Sequence, residues 1–478
     1  MQSINRKSGY LFWASLFFDF LAIASLVSMS LIWNRMEGIF ALSVLLPLSW
    51  RLKGFDFGAL IFRHGVSLMA VGAFVLYFWF FTFIASPVTE IEVTIIDKQQ
   101  SYLLGLTMTY FISFLSFQAS QTIGLIVRFF LPTLLVLASF LIIGWSFHSG
   151  GCRTAMFFSS SPYTPPFIFC ALSLMTLVNW QYYSRTERLV RYYLLFMAVF
   201  LPAGPFGSRG VLIALILVIS LLTILAAWKR NESVPNGMKL IFFTAASLLS
   251  AGVYIRYISN CGSMLIRYDD YFLVVVEHGP KIASLLVAAA MIGWILMKTK
   301  DYKSPEFTLQ FLVLTLYMTL MVGLFCAPFL NLFENDTANV FKDSSNSQRM
   351  TMWAGGLYAL KNNIVFGLGS LGENAILHSQ ALMGNLAGKY GSVHSQTMTF
   401  IIAGGLVGVS LFFFAMTIPF LTTRDGISVD YTLAFIGGPV FFLLATSTET
   451  ITGRPSIFYM IFVIIILSVR IIDKRSES

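Results

Sequence analysis

Long apolar runs alternate with short polar connections along almost the whole chain. A helix needs about 20 apolar residues to cross a bilayer, and the runs predict about fourteen transmembrane helices, with a range of about 12 to 14. The pattern therefore predicts an all-α polytopic membrane protein. The predicted spans are residues 10–32, 37–50, 64–85, 102–119, 126–146, 165–180, 192–206, 211–228, 239–255, 281–297, 306–328, 398–420, 431–447 and 457–472.

One long polar interruption, residues 329–397, breaks this pattern. A connection of such length is usually functional or disordered. Apolar residues recur in it at helical spacing, which predicts that the loop is partly helical. These residues are Met350, Trp353, Leu357 and Leu360.

The long loop and the runs around it divide the chain into four predicted regions. Residues 1–190 form an N-terminal transmembrane scaffold, and residues 191–328 form a central transmembrane region. Residues 329–397 form the loop that carries the active-site segment, and residues 398–478 form the C-terminal transmembrane helices.

Composition and charge agree with this class. The chain of 478 residues is 57% hydrophobic and 11% charged, with four cysteines and a formal net charge of +9. Soluble proteins carry about 25% charged residues. Most Lys and Arg residues fall in the connections on one side, which the positive-inside rule assigns to the cytoplasm. Both termini are then cytoplasmic and the 329–397 loop faces outward. The excess of basic residues is explained by the membrane topology, and no nucleic acid partner is expected.

The first candidate for chemistry is the turn at Ser208, Arg209 and Gly210, just before the span 211–228. A helix N-terminus presents free N–H groups and the positive end of the helix dipole, so it favours an anion. The Arg209 guanidinium would add a planar fork of donors suited to phosphate. The alternative is an interfacial arginine that only holds the turn.

The long loop supplies a second cation and an aromatic side chain. Arg349 and Trp353 are four residues apart, on one face of a predicted short helix. Arg349 is a candidate phosphate ligand. Trp353 is either a platform for a sugar face or a membrane anchor. A turn rich in glycine follows at Gly367 and Gly369.

His394 stands where the next apolar helix begins, with Ser392 as a predicted N-cap. A helix N-terminus disfavours imidazolium, so the ring stays neutral and able to accept a proton. Glycines further along this helix would let it pack closely against a neighbour and fix the position of His394. They are Gly404, Gly405 and Gly408. His378, in the same loop, is predicted to be a surface residue.

Other polar residues give weaker signals. Asp19 lies in the middle of the first span and must face protein or water, as a packing residue or a relay. Asp269 and Asp270 are adjacent but lack a third ligand, so no metal site is predicted. Cys152 and Cys261 fall in outer loops, and the sequence does not determine whether they pair.

At these residues the chain resembles the O-antigen ligase and O-antigen polymerase superfamily. The similarity rests on the order of three pieces within residues 192–420: the Ser-Arg-Gly turn, the Arg-Trp-glycine segment, and a histidine opening a helix that contains glycine. Val365 and Phe366 stand where the family usually has proline, and residues 256–328 form an additional region.

The resemblance implies a GT-C-like glycosyltransferase in the bacterial inner membrane that needs neither metal nor cofactor. Its donor would be a glycan on undecaprenyl diphosphate, held at the periplasmic face by Arg209 and Arg349, with His394 as base. Polymerisation of repeat units is favoured, and ligation to lipid A–core is the alternative. The implied partners also include membrane lipids, a chain-length regulator and a flippase.

Two other classes remain open. A lipid-linked sugar flippase would have a similar number of helices, but transporters tend to show interrupted helices and ionisable residues at the bilayer midplane. A scaffold protein without chemistry would leave the arginines and His394 unexplained.

Overall fold

The computed structural model describes nine of the fourteen predicted spans, in whole or in part. The residues described are 6–28, parts of 65–77, 126–148, 164–229, 234–257, 360, 363–368, parts of 401–414, and 429–446. Every regular element in these ranges is helical, with no strand among them. The all-α prediction is confirmed to that extent. The spans at 37–50, 102–119, 281–297, 306–328 and 457–472 lie outside the described residues.

Two of the described helices are long and apolar enough to cross a membrane, Arg128–Ser146 and Gly237–Tyr254. Shorter apolar helices cover Pro165–Met175 and Gly210–Ala226. Each coincides with a predicted span. The count of about fourteen helices stays a prediction.

The chain forms two compact units. The first comprises Met1–Ile142, Ala155–Asn179 and Gln348–Ser478, and the second comprises Ile143–Thr154 and Trp180–Ser347. The four-region division made from the sequence stays a prediction.

The first unit contains α1 (Arg6–Ser28), whose Phe20 ring lies 4.9 Å from Phe130 in a π-helix, Ile126–Phe130. The helix α2 (Leu131–His148) follows directly, and its residues from Ile143 onward are part of the second unit. Asp19 lies on α1 as predicted, and its side chain is outside the described part of the structure.

A cluster of short helices completes the described core of the first unit. The helix α3 (Thr164–Met175) packs against α7 (Val429–Phe435), a π-helix (Ile436–Val440) and α8 (Phe441–Thr446). Pro439 lacks an N–H and cannot donate a hydrogen bond of the α-helical pattern, which accounts for the wider π-helical turn at Ile436–Val440. A methyl group on Gly437 would lie 3.1 Å from Leu174 Cβ, so this glycine permits the close approach.

The second unit is built on α4 (Arg185–Ala203), α5 (Arg209–Lys229) and α6 (Gly237–Tyr257). Side chains of α6 bond and stack against α4: the Ser247 hydroxyl donates to Phe196 O at 2.7 Å, and the Phe243 ring stacks on Tyr192 at 5.1 Å. Lipid tails are as apolar as these side chains, so close packing and hydrogen bonds, more than hydrophobicity, hold such helices together.

The hydropathy pattern predicted that α4 begins at residue 192, which is seven residues too late. The structure begins it at Arg185 because Ser184 and Glu187 form a capping box. Arg191, predicted to be a loop residue, is buried: its guanidinium lies 3.4 Å from the Tyr183 ring centroid and donates to Glu187 O at 2.8 Å. The 19-residue helix is close to membrane-spanning length, unlike the predicted short span.

Candidate active site

The turn between α4 and α5 is compact and hydrogen-bonded to the end of α4. Phe206 N–H donates to Leu201 O at 3.0 Å, and Ser208 N–H donates to Pro202 O at 2.8 Å. Gly207 lies in the left-handed region, with φ of 56°, which a residue with a side chain rarely adopts. The chain therefore reverses over residues 204–208.

This placement corrects the predicted turn at Ser208–Gly210. Arg209 and Gly210 already belong to the first turn of α5. Ser208 O accepts from Leu212 N–H at 3.1 Å, the first bond of the helical ladder, so Ser208 is the N-cap residue. The backbone of Arg209 is thus fixed by the helix start, while its side chain lies outside the described residues.

The hydroxyl of Ser208 is unusual for an N-cap. The residue is fully buried, and its Oγ has no hydrogen-bond partner among the described residues. An N-cap serine normally accepts from a backbone N–H one turn into the helix. A buried polar group without a partner costs about 1–3 kcal/mol. The positive end of the 21-residue helix α5 therefore carries a buried hydroxyl that no described residue satisfies.

A turn is present in the first unit, but it begins three residues before the predicted turn at Gly367 and Gly369. Residues 364–366 form the turn, and Gly367 N–H donates to Asn363 O at 2.8 Å. Gly367 has a φ of 80°, so it requires the freedom of glycine. Leu360, one of the apolar residues at helical spacing, is buried just before the turn.

The turn inserts into the backbone of a helix whose described residues are 401–402 and 404–411. In a continuous helix the Leu406 N–H would donate to Ile402 O. Instead Ile402 O accepts from Leu368 N–H at 2.8 Å, and Leu406 N–H donates to Ile364 O at 3.0 Å. Val407 N–H also turns to the loop and donates to Val365 O at 3.1 Å. The loop thereby satisfies the Ile402 carbonyl and the N–H groups of Leu406 and Val407.

Gly405 makes this interruption possible. Its φ of 60° is left-handed, and an added methyl group would lie 2.5 Å from both Gly367 N and Val365 O. No side chain fits there, because the nearby atoms all belong to the backbone. The prediction that this glycine allows close packing is confirmed, with the glycine turn as the neighbour.

Tyr77 joins the same place from a third segment. Its hydroxyl lies 3.1 Å from Phe366 O and 2.9 Å from Gly404 O. The sequence reasoning did not single out this residue. A signal was present, because a tyrosine within a predicted span usually needs a hydrogen-bond partner for its hydroxyl.

The other predicted site residues lie outside the described part of the chain. They are Arg349, Trp353, Gly369, His378, Ser392 and His394. Their roles, and the absence of a metal at Asp269 and Asp270, stay predictions.

Comparison with known proteins gives one finding. A family model described as O-antigen ligase matches residues 278–413, and no curated protein matches the chain. The matched segment contains the inserted glycine turn, the interrupted helix and His394. The match confirms the predicted resemblance over residues 278–413, whereas the Ser-Arg-Gly turn lies outside the matched segment. The chain is a membrane protein.

Proposed function

We propose, from the match of residues 278–413 to a family model described as O-antigen ligase, that the protein is a membrane glycosyltransferase. It acts at the periplasmic face on an oligosaccharide linked to undecaprenyl diphosphate. The reaction we favour is polymerisation of repeat units into O-antigen or a related surface polysaccharide. Ligation to lipid A–core is the second candidate, because the matching model is described as a ligase.

The observation that carries the proposal is the buried Ser208 hydroxyl at the start of α5, which has no partner in the part of the chain that the structure describes. A diphosphate oxygen is an acceptor for a hydroxyl, and it benefits from the positive helix end. The Arg209 backbone lies in the first turn of the same helix. A guanidinium there would supply the charge that a neutral hydroxyl lacks.

The proposed chemistry is a displacement at the anomeric carbon of the donor sugar. The acceptor hydroxyl oxygen forms a bond to that carbon while the bond from carbon to diphosphate oxygen breaks. The diphosphate leaves with the electron pair, and Arg209 and Arg349 stabilise its growing charge. His394 takes the acceptor proton as general base. Trp353 either stacks on a sugar face or anchors the loop.

The interrupted helix favours an enzyme over a transporter. Transporters use broken helices to present free backbone groups to an ion or substrate. Here the carbonyl of Ile402 and the N–H groups of Leu406 and Val407 are already bonded to the inserted loop. The interruption therefore fixes a loop to a helix, which suits a preorganised site.

A reconstitution experiment tests the proposal. Purified protein is supplied with a lipid-linked repeat unit, either alone or with lipid A–core, and products are separated by gel electrophoresis. A ladder formed from repeat units alone supports polymerisation, and a single transfer to lipid A–core supports ligation. Transfer to neither acceptor, with movement of the lipid-linked sugar across a vesicle bilayer, would support the flippase alternative and refute the proposal.

A further inference from the structure

The inserted turn is joined to the interrupted helix by a side chain that is distant in sequence. Tyr77 lies 289 residues from Phe366 and 327 residues from Gly404 along the chain. Its hydroxyl nevertheless reaches a carbonyl oxygen of each. One phenolic hydrogen therefore serves two acceptors, one on the turn and one on the helix.

The helical segment 65–77 directs Tyr77 to this place. Ala70 and Phe74 are buried at 4% and 3% exposure, whereas Met69 and Leu76 are exposed at 68% and 64%. Positions 70, 74 and 77 fall on one helix face, at the spacing of a helical stripe. Tyr77 therefore extends from the same helix face as the buried Ala70 and Phe74.

The two backbone segments that Tyr77 joins both contain a glycine with wide conformational freedom. Gly367 and Gly405 both adopt positive φ values, and glycine has the widest conformational freedom of any residue. Three backbone hydrogen bonds join the turn to the helix, from Leu368, Leu406 and Val407. A side chain anchored on a third helix restricts how the turn and the helix can shift together.

We infer that Tyr77 is a positioning residue for the transfer reaction. Its hydroxyl fixes the inserted turn against the interrupted helix, and the sequence predicts that His394 opens this same helix. This role rests on the proposed function. It assigns a catalytic consequence to a residue outside the segment that matches the family model.

The consequence should appear in turnover and not in donor affinity. A displacement of about 1 Å at a catalytic group can reduce the rate about 10²-fold. Tyr77→Phe removes only the hydroxyl, so we expect kcat to fall by about 10- to 100-fold. KM for the lipid-linked donor should stay within about twofold, because the proposed diphosphate ligands Arg209 and Arg349 are unchanged.

The experiment compares Tyr77→Phe with Tyr10→Phe, the same change at a residue that is 78% exposed. Hydrogen exchange of peptides covering 360–368 and 402–411 is measured beside kcat and KM. Faster exchange in both peptides, with lower kcat, is expected for Tyr77→Phe only. Replacing Tyr77 by 4-aminophenylalanine restores a donor, with two N–H hydrogens for two carbonyls, and should recover kcat and slow exchange.

The outcomes separate the two proposals. Normal kcat and normal exchange in Tyr77→Phe would overturn the positioning role while leaving the proposed function intact. A rise in KM without a fall in kcat, or failure of 4-aminophenylalanine to restore turnover, would also overturn it. Absence of transfer by the wild-type protein would overturn the proposed function itself.

Discussion

Replacing Gly405 by alanine should release the inserted turn from the interrupted helix. The new methyl carbon would lie 2.5 Å from Gly367 N and 2.6 Å from Ile364 O, closer than such carbons approach backbone atoms. Alanine at a φ of 60° would also be strained. Backbone atoms cannot move aside as a flexible side chain can, so the turn itself must shift.

The size of the effect follows from two costs. A left-handed conformation costs a residue with a side chain about 1–2 kcal/mol. Shifting the turn breaks the hydrogen bonds from Leu368, Leu406 and Val407, each with a net value of about 0.5–1.5 kcal/mol. The free energy of local opening should therefore fall by about 3 kcal/mol or more.

Hydrogen exchange followed by mass spectrometry measures this opening directly. A loss of about 3 kcal/mol corresponds to exchange about 100-fold faster in peptides covering 364–368 and 404–408. Gly252→Ala is the matched control, because nothing lies within 4 Å of the added methyl group. There the exchange should be unchanged or slower, since alanine favours a helix over glycine. Equal exchange in Gly405→Ala and wild type would refute the described insertion.

Three further predictions concern the proposed chemistry. Ser208→Ala should weaken binding of the diphosphate donor by about tenfold or more, through loss of a hydrogen bond to a charged group, without lowering thermal stability. Arg209→Lys and Arg349→Lys should each lose most transfer activity, because a point charge cannot reproduce the planar fork of donors. His394→Ala should lower turnover by about 10²–10⁴-fold with donor binding retained, whereas His378→Ala should stay active. Donor binding is followed with a fluorescent lipid diphosphate, and turnover by product formation.

Matched variants make each result decisive. Ser250→Ala removes a hydroxyl that already donates to Ala246 O at 2.8 Å, so it should leave donor binding unchanged. Arg153→Lys, in a predicted outer loop, should leave transfer unchanged. Unaltered donor binding in Ser208→Ala would contradict the anion site at α5, and full turnover in His394→Ala would exclude that histidine as the base. Near-normal activity of both arginine variants would exclude the diphosphate clamp.

The sequence by itself determined the membrane class and the position of most described helices. A bilayer requires long apolar runs whose backbone groups bond within the segment. The apolar composition of a stretch of about 20 residues is therefore enough to predict a membrane-spanning helix. The sequence located α5 and α6 within two residues of their starts and ends. It also singled out Gly367 as a turn residue and Gly405 as a close-packing residue, and both have positive φ. The start of α4 was misplaced because the capping box lies in a charged stretch that the hydropathy pattern excludes.

Only the tertiary structure decided how these pieces act on one another. The bonds of Tyr77 span 289 and 327 residues, and the inserted turn replaces the ladder bond between Ile402 and Leu406. The burial of the Ser208 hydroxyl, and its lack of a partner among the described residues, likewise depend on its surroundings in the second unit. A local pattern specifies which bonds a segment can make within itself. Which distant backbone group replaces a missing one is set by packing, where every buried N–H and C=O must find a partner.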